Sequence, residues 1–267
     1  MNIFLNGLIN FLIQISVFVG AVYLVGFLIS LINKLFYHLA GTSRAVIYGT
    51  GFFGTPIHEL SHAFFCLVFF HKIEEVKLFQ IDDEDGTLGY VRHSYNKKNV
   101  YHLIGCFFIG TAPILVGTAL LMLLMWLIVP SAFNGINASV TSAFSGGFEY
   151  IKIFEVLWGS IVAFFSSVGD WRWWVYLIPV ILIAIHMNLS KADLQGSVIG
   201  IPFIILLFLL VNLALFWTGA VYDGYLNAMA YAEVYLILIL FMSLVFSLIS
   251  LVPALIIYII RRATHRV

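Results

Sequence analysis

Long apolar runs constrain this chain more than any other feature of its sequence. Six segments are dominated by hydrophobic residues and are long enough, or nearly so, to cross a lipid bilayer as helices: about 5–32, 45–70, 100–129, 174–190, 198–218 and 232–260. Charged residues make up only 10% of the chain, whereas a soluble domain carries about 25%. The sequence therefore predicts an all-α polytopic membrane protein with about six transmembrane helices, built as a single integral membrane domain over 1–267.

The charge balance gives information about binding partners, and the cysteines about disulfide bonds. The formal net charge is +0, which gives no electrostatic reason for nucleic acid to bind. The lipid bilayer is the expected surroundings, and the sequence indicates no particular oligomeric state. Cys66 and Cys106 both lie in apolar runs, so they are predicted to be small buried hydrophobic side chains rather than parts of a disulfide framework.

The second apolar run contains a metal-binding pattern, H-E-x-x-H, at positions 58–62. Positions i and i+4 of a helix lie on one face, so His58 and His62 can reach a single metal ion. Glu59 lies beside them and is placed to act as the general base of a metalloprotease. The structural alternative is that these side chains satisfy one another in a polar pocket. Ionisable groups at membrane depth are costly and usually functional, which favours the metal site.

The shape of this second run has two interpretations. Three glycines precede Thr55 and Pro56, a residue pair typical of a helix start. A helix could therefore begin at Pro56 after a broken segment over 45–54, or one continuous helix could pass through a kink at Pro56. The sequence alone does not choose between them.

A polar stretch over 72–95 interrupts the apolar pattern. Residues 72–80 and 87–92 have strand-like alternation, and the acidic segment 82–86 between them ends in an Asp-Gly turn. We predict a small membrane-associated β-hairpin after the H-E-x-x-H helix. Further along, residues 131–147 are rich in Ser, Asn and Gly and predict a loop, and 148–169 predicts an interfacial helix, so that about 131–173 is assigned to the extracytoplasmic side.

A third metal ligand is expected from a later part of the chain. The end of the fourth run carries His186, Asn188 and Asp193, and His186 and Asp193 would share a helix face if the helix continued. The structural alternative for Asp193 is a helix-capping role together with Ser190. Cys66, four residues after His62, is a further candidate ligand.

The motif and the later Asp resemble the site-2 protease family of intramembrane zinc metalloproteases, in its small bacterial branch. In that family the third ligand is the Asp of N-x-x-P-x-x-x-x-D-G, which Asp193 would match. Asn188 stands five residues before it, the Pro is absent, and Gly196 follows three residues later. The resemblance covers roughly 50–200, with a protease core at about 45–200. It implies a hairpin near the site and a location in the bacterial plasma membrane.

The resemblance implies an intramembrane protease whose Zn²⁺ is held by His58, His62 and Asp193, with Glu59 as the catalytic base and His186 as the rival ligand. Asn188 is a candidate for binding the oxyanion or the substrate backbone. The substrate would be a membrane protein or peptide. Two interpretations of the hairpin stay open: a substrate segment adds as an extra strand to the hairpin edge, along 72–80 or else along 87–92, or the hairpin is a cytoplasmic loop with only a structural role.

Other functions remain open. A prenyl-protein protease would need a downstream Glu ligand, for which Glu149, Glu155 and Glu233 are available. A non-catalytic scaffold or chaperone with a relic metal site is a second alternative, and a zinc transporter is a third.

The orientation follows from the distribution of basic residues. With both termini in the cytoplasm, four of the 13 lysines and arginines fall outside, at Lys34, Arg44, Lys152 and Arg172, and the other nine fall inside. This bias agrees with the positive-inside rule. It places the hairpin and Asp193 on the cytoplasmic side.

Overall fold

The protein is described by a computed structural model over residues 3–81, 87–144 and 149–264. Within these ranges the secondary structure is mainly helical. The first half contains α1 (Ile3–Ile15), α2 (Val22–Ala40), α3 (Arg44–Val68), β1 (Lys72–Lys77), β2 (Tyr90–Ser94) and α4 (Val100–Ile128). The second half contains α5 (Pro130–Phe144), α6 (Lys152–Ser166), α7 (Trp171–Ala184), α8 (Lys191–Val198), α9 (Ile201–Leu215) and α10 (Ala220–Thr264).

Across the described residues, five helical stretches are long and apolar enough to cross a membrane: Gly7–Ala40, Val100–Ile128, Lys152–Gly169, Lys191–Leu215 and Ala220–Thr264. In the first of these, a π-helical segment, Ser16–Ala21, joins α1 to α2. The architecture fits the predicted all-α membrane protein, but the count of six spans is not confirmed. The predicted fourth span coincides with α7, which has only 14 residues, and α3 is long enough but carries the polar motif.

Helix α3 is continuous. It begins at the N-cap Ser43, whose hydroxyl accepts a hydrogen bond from the Val46 amide, and it passes through Pro56 without interruption. The alternative of a helix that restarts at Pro56 is therefore wrong. One helix carries both the glycine-rich segment and the H-E-x-x-H motif.

The C-terminal end of α3 turns sharply back on itself. The Phe70 amide donates to the Leu67 carbonyl and the His71 amide to the Cys66 carbonyl, which is the Schellman pattern. Phe70 has a φ of 54°, in the left-handed region that usually holds glycine. A side chain with a Cβ in this conformation costs about 1–2 kcal/mol. The turn places His71 directly beneath the last turn of the helix.

The predicted hairpin is confirmed. Strands β1 and β2 form a two-stranded antiparallel sheet whose register runs from Lys72 opposite Ser94 to Lys77 opposite Tyr90. A bulge interrupts the register between Ile73 and Glu75. The acidic turn predicted at 82–86 lies outside the described residues.

The prediction of a loop over 131–147 is wrong for residues 131–144, which the structure describes as helical. Helix α5 runs to Phe144 and packs against α6, while 145–148 lie outside the described residues. The small residues that suggest a loop instead allow α5 and α6 to pack closely. A side chain at Gly135 would collide with Ala163, and one at Gly159 would collide with Ser139. The buried positions of α5 recur at helical spacing: Ala132, Ile136, Val140 and Ala143.

Helix α4 is the centre of the molecule. Fourteen of its residues are buried, around much of its circumference. It contributes to the largest core cluster, with α5, α6, α7 and α10, and to a second cluster with α2, α9 and α10. This central position brings the middle of α4, at Ile109 and Gly110, against the elements that carry the predicted metal ligands.

Candidate metal centre

The two histidines of the motif face each other on α3. Their Nε2 atoms lie 3.1 Å apart. The Nδ1 atom of His58 lies 2.6 Å from the carbonyl oxygen of His186, and that of His62 lies 2.7 Å from the carbonyl oxygen of Ile109. A neutral imidazole that donates from Nδ1 has its free lone pair on Nε2. Both rings are therefore oriented and protonated as metal-binding histidines are.

Asp193 completes the group from the start of α8. Its Oδ1 lies 3.3 Å from His62 Nε2, and its Oδ2 lies 3.7 Å from His58 Nε2. The three ligand atoms lie within 4.8 Å of one another. The same carboxylate accepts a hydrogen bond of 2.7 Å from the Ser190 amide, while the Ser190 hydroxyl accepts one from the Asp193 amide. The capping role predicted as the alternative is thus present together with the metal-facing one.

Close helix contacts hold these ligands in place. A side chain at Gly110 on α4 would collide with the Asp193 carbonyl and with Ser197, so α8 lies directly on the α4 backbone. A side chain at Gly54 on α3 would collide with the ring of His186, so the end of α7 lies directly on α3. The hydroxyl of Tyr23 on α2 hydrogen-bonds that of Ser197 at 2.6 Å.

Glu59 and the three ligands border one cavity of about 540 Å³. The Glu59 side chain is buried, with its residue only 7% exposed. Another part of the wall comes from the second half of the hairpin, through Thr87, Gly89, Tyr90, Val91 and His93. No residue of β1 is among the described residues that line it. The hairpin therefore faces the cavity with β2.

The remaining candidates from the sequence lie elsewhere. The ring of His186 does not join the ligand group, and its Nε2 is buried with no hydrogen-bond partner in the described part of the chain. Its backbone carbonyl instead orients His58. Asn188 is not among the described residues that line the cavity.

Cys66 belongs to a different group, which was not predicted from the sequence. Its sulfur lies with ring nitrogens of His71 and His93, again with all three atoms within 4.8 Å. Burial lowers the pKa of both His71 and His93, so these rings are held neutral. The available signal was the Cys-x₄-His spacing together with a histidine on the second strand.

Comparisons with known proteins add no assignment. No family matches the chain, and no match was found among the curated proteins or among the solved structures.

Proposed function

We propose that this chain is an intramembrane zinc metalloendopeptidase of the site-2 protease type, located in a bacterial plasma membrane with both termini in the cytoplasm. One observation carries the proposal: two histidine Nε2 atoms and the Asp193 carboxylate converge beside the buried Glu59 on the wall of one cavity. This is the ligand set and the base that metal-assisted peptide hydrolysis requires.

The residues fit a zinc ion. Two nitrogen ligands at about 2.05 Å from a tetrahedral ion lie about 3.3 Å apart, close to the 3.1 Å between the Nε2 atoms. Three protein ligands leave a fourth position for water or substrate, as in catalytic rather than structural sites. When bound, zinc would supply the acidification of a water molecule and the polarisation of the scissile carbonyl.

Glu59 performs the proton transfers in this proposal. Its carboxylate accepts a proton from the attacking water while the water oxygen bonds to the carbonyl carbon of the substrate. The same proton then passes to the amide nitrogen as the carbon–nitrogen bond breaks, so that the products are a new carboxyl and a new amine terminus. Burial of Glu59 excludes bulk water, which strengthens its interaction with these groups.

Strand β2 is the surface that would hold the substrate. A helical substrate hides its peptide bonds in its own hydrogen bonds, and freed backbone groups in lipid are costly, so a replacement partner is needed. The sequence suggested the first strand, at 72–80, as that partner, but the cavity is lined by Tyr90, Val91 and His93 of β2. Among the described residues the sheet has only the strands β1 and β2, so β2 has a second edge without a strand neighbour. An extended segment of a membrane protein would add to this edge.

The proposal is tested with the full chain in proteoliposomes that also contain solubilised bacterial inner-membrane proteins. New N-termini are identified by mass spectrometry. We expect cleavage products with the parent and none with Glu59→Gln. Glu233→Gln is the matched control, because Glu233 is also buried but lies on α10 and is not among the described residues that line the cavity. Equal product from the parent and from Glu59→Gln would reject the catalytic role.

The same experiment separates the scaffold and the prenyl-protein protease from the proposed function. A scaffold with a relic site would bind zinc and yield no new N-termini from any variant. A prenyl-protein protease would cleave only beside a lipidated C-terminal cysteine. For that enzyme Glu149, Glu155 or Glu233 would be expected at the metal, and none of them joins a ligand group in the described ranges.

A further inference from the structure

We propose a second metal site, in which Cys66, His71 and His93 bind a zinc ion that fastens the hairpin to the end of α3. Cys66 is fully buried on the last turns of α3, His71 follows the turn that ends this helix, and His93 lies on β2. The inference is independent of the proposed peptidase function, because none of these residues belongs to the His58–His62–Asp193 group.

The spacing of the ligand atoms suits a tetrahedral ion. The Nδ1 atoms of His71 and His93 lie 3.1 Å apart, close to the roughly 3.3 Å expected for two nitrogen ligands of zinc. The Cys66 sulfur lies within 4.8 Å of one ring nitrogen of each histidine, and the sulfur–nitrogen separation expected around a tetrahedral zinc ion is about 3.6 Å. The three side chains are therefore close enough together to share one ion.

Hydrogen bonding prepares His71 for this role. Its Nε2 lies 2.9 Å from the carbonyl oxygen of His102, so Nε2–H donates and the lone pair is on Nδ1, which faces His93. Metal-binding histidines commonly donate their other ring N–H to a carbonyl in this way. The same arrangement orients His58 and His62 at the first site.

Backbone strain is concentrated at the same place. Phe70 adopts the left-handed conformation although it is not glycine, and its side chain is 74% exposed, with one ring contact to Tyr101. The result of this turn is that the His71 amide donates to the Cys66 carbonyl at 2.8 Å, which puts the two ligand residues side by side. Strained backbone of this kind clusters at binding sites.

A bound ion would influence the first site through the hairpin. His93 lines the same cavity as Glu59, and β2 is the strand that faces it. Zinc at the second site would fix β2 relative to α3, and with it the edge available to a substrate. Without metal, the Nδ1 atoms of the two imidazoles would share one N–H···N hydrogen bond.

The absorption spectrum of bound Co²⁺ distinguishes the two sites, because only the second group of ligands contains a sulfur atom. Purified full-length protein in detergent, kept reduced, is stripped of metal and titrated with Co²⁺. We expect two bound ions per chain and a thiolate-to-cobalt charge-transfer band in the near ultraviolet. Cys66→Ser should lose this band and one equivalent of cobalt. His62→Ala should lose one equivalent and keep the band, so failure of one site is visible separately from failure of the other.

Cys106→Ser is the matched control, since Cys106 is the other buried free cysteine and does not belong to the ligand group. It should keep the band at full intensity. If Cys66→Ser does not fold, His93→Gln on the hairpin replaces it and should weaken cobalt binding at least tenfold. The proposal is overturned if the parent shows no thiolate band, if the band depends on Cys106 instead of Cys66, or if His93→Gln leaves it unchanged.

Discussion

Replacing Gly110 by alanine tests whether the contact between α4 and α8 holds the third ligand in place. A Cβ at this position would lie 2.7 Å from the Ser197 Cβ and 3.0 Å from the Ser197 amide nitrogen, and it would also collide with the Asp193 carbonyl. Ordinary carbon contacts are about 3.5–4.0 Å, so the two helices must separate by about 1 Å. Because two of the three clashing atoms belong to backbone, rotating a side chain does not relieve them.

The size of the effect follows from the strain. Overpacking of this kind costs about 1–3 kcal/mol, which α8 relieves by moving away from α4. Asp193 moves with it, and its 3.3 Å separation from His62 lengthens. Metal binding must then draw α8 back against the same strain. Zinc affinity at this site should therefore fall by about 5–150-fold.

The measurement is a competition titration of the purified protein against a chromogenic zinc chelator. Gly196→Ala on α8, the helix that carries Asp193, is the matched control, because a Cβ there would meet nothing within 4 Å. The control should bind zinc as the parent does. If folded Gly110→Ala binds zinc within twofold of the parent, the close approach of α8 to α4 does not position Asp193.

Three further predictions concern the ligands, the hairpin and the orientation. Asp193→Ala should lower zinc affinity by more than about 100-fold. His186→Ala should leave zinc affinity largely intact, because only the His186 backbone contacts a ligand. Metal analysis showing the reverse would exchange the two assignments. Val76 and Val91 are opposite each other in the hairpin, but only Val91 lines the cavity, so proline at Val91 should slow cleavage more than proline at Val76. Equal slowing would indicate a general loss of the hairpin. A cysteine at the exposed Glu74 should be labelled by a membrane-impermeant reagent only from the cytoplasmic side.

Local patterns in the sequence predicted local structure well. The four-residue spacing of His58 and His62 requires only that one helix contain them, and α3 does. The hairpin followed from strand alternation on either side of a polar turn. In both cases the residues concerned are close in sequence, four apart in the motif and at most 22 apart in the hairpin.

Features that depend on distant packing could not be predicted in this way. The composition of α5 is typical of a loop, and only its contacts with α6 show why small residues suit a helix there. Which strand faces the cavity depends on how the hairpin rests on α3. The grouping of Cys66 with His93 depends on the left-handed turn at Phe70, which no sequence rule predicts for a phenylalanine.

The long separation between the two halves of the first site affects how it forms during synthesis. The hydrogen bond that orients His58 comes from a carbonyl 128 residues later in the chain. At about 5–20 residues per second, a ribosome needs roughly 6–26 s to add that length. The motif helix is therefore made, and can enter the membrane, well before α7 and α8 exist. A nascent chain that stops after α6 would carry His58, Glu59 and His62 without Asp193, so the complete ligand group can form only after the second half of the chain has been made.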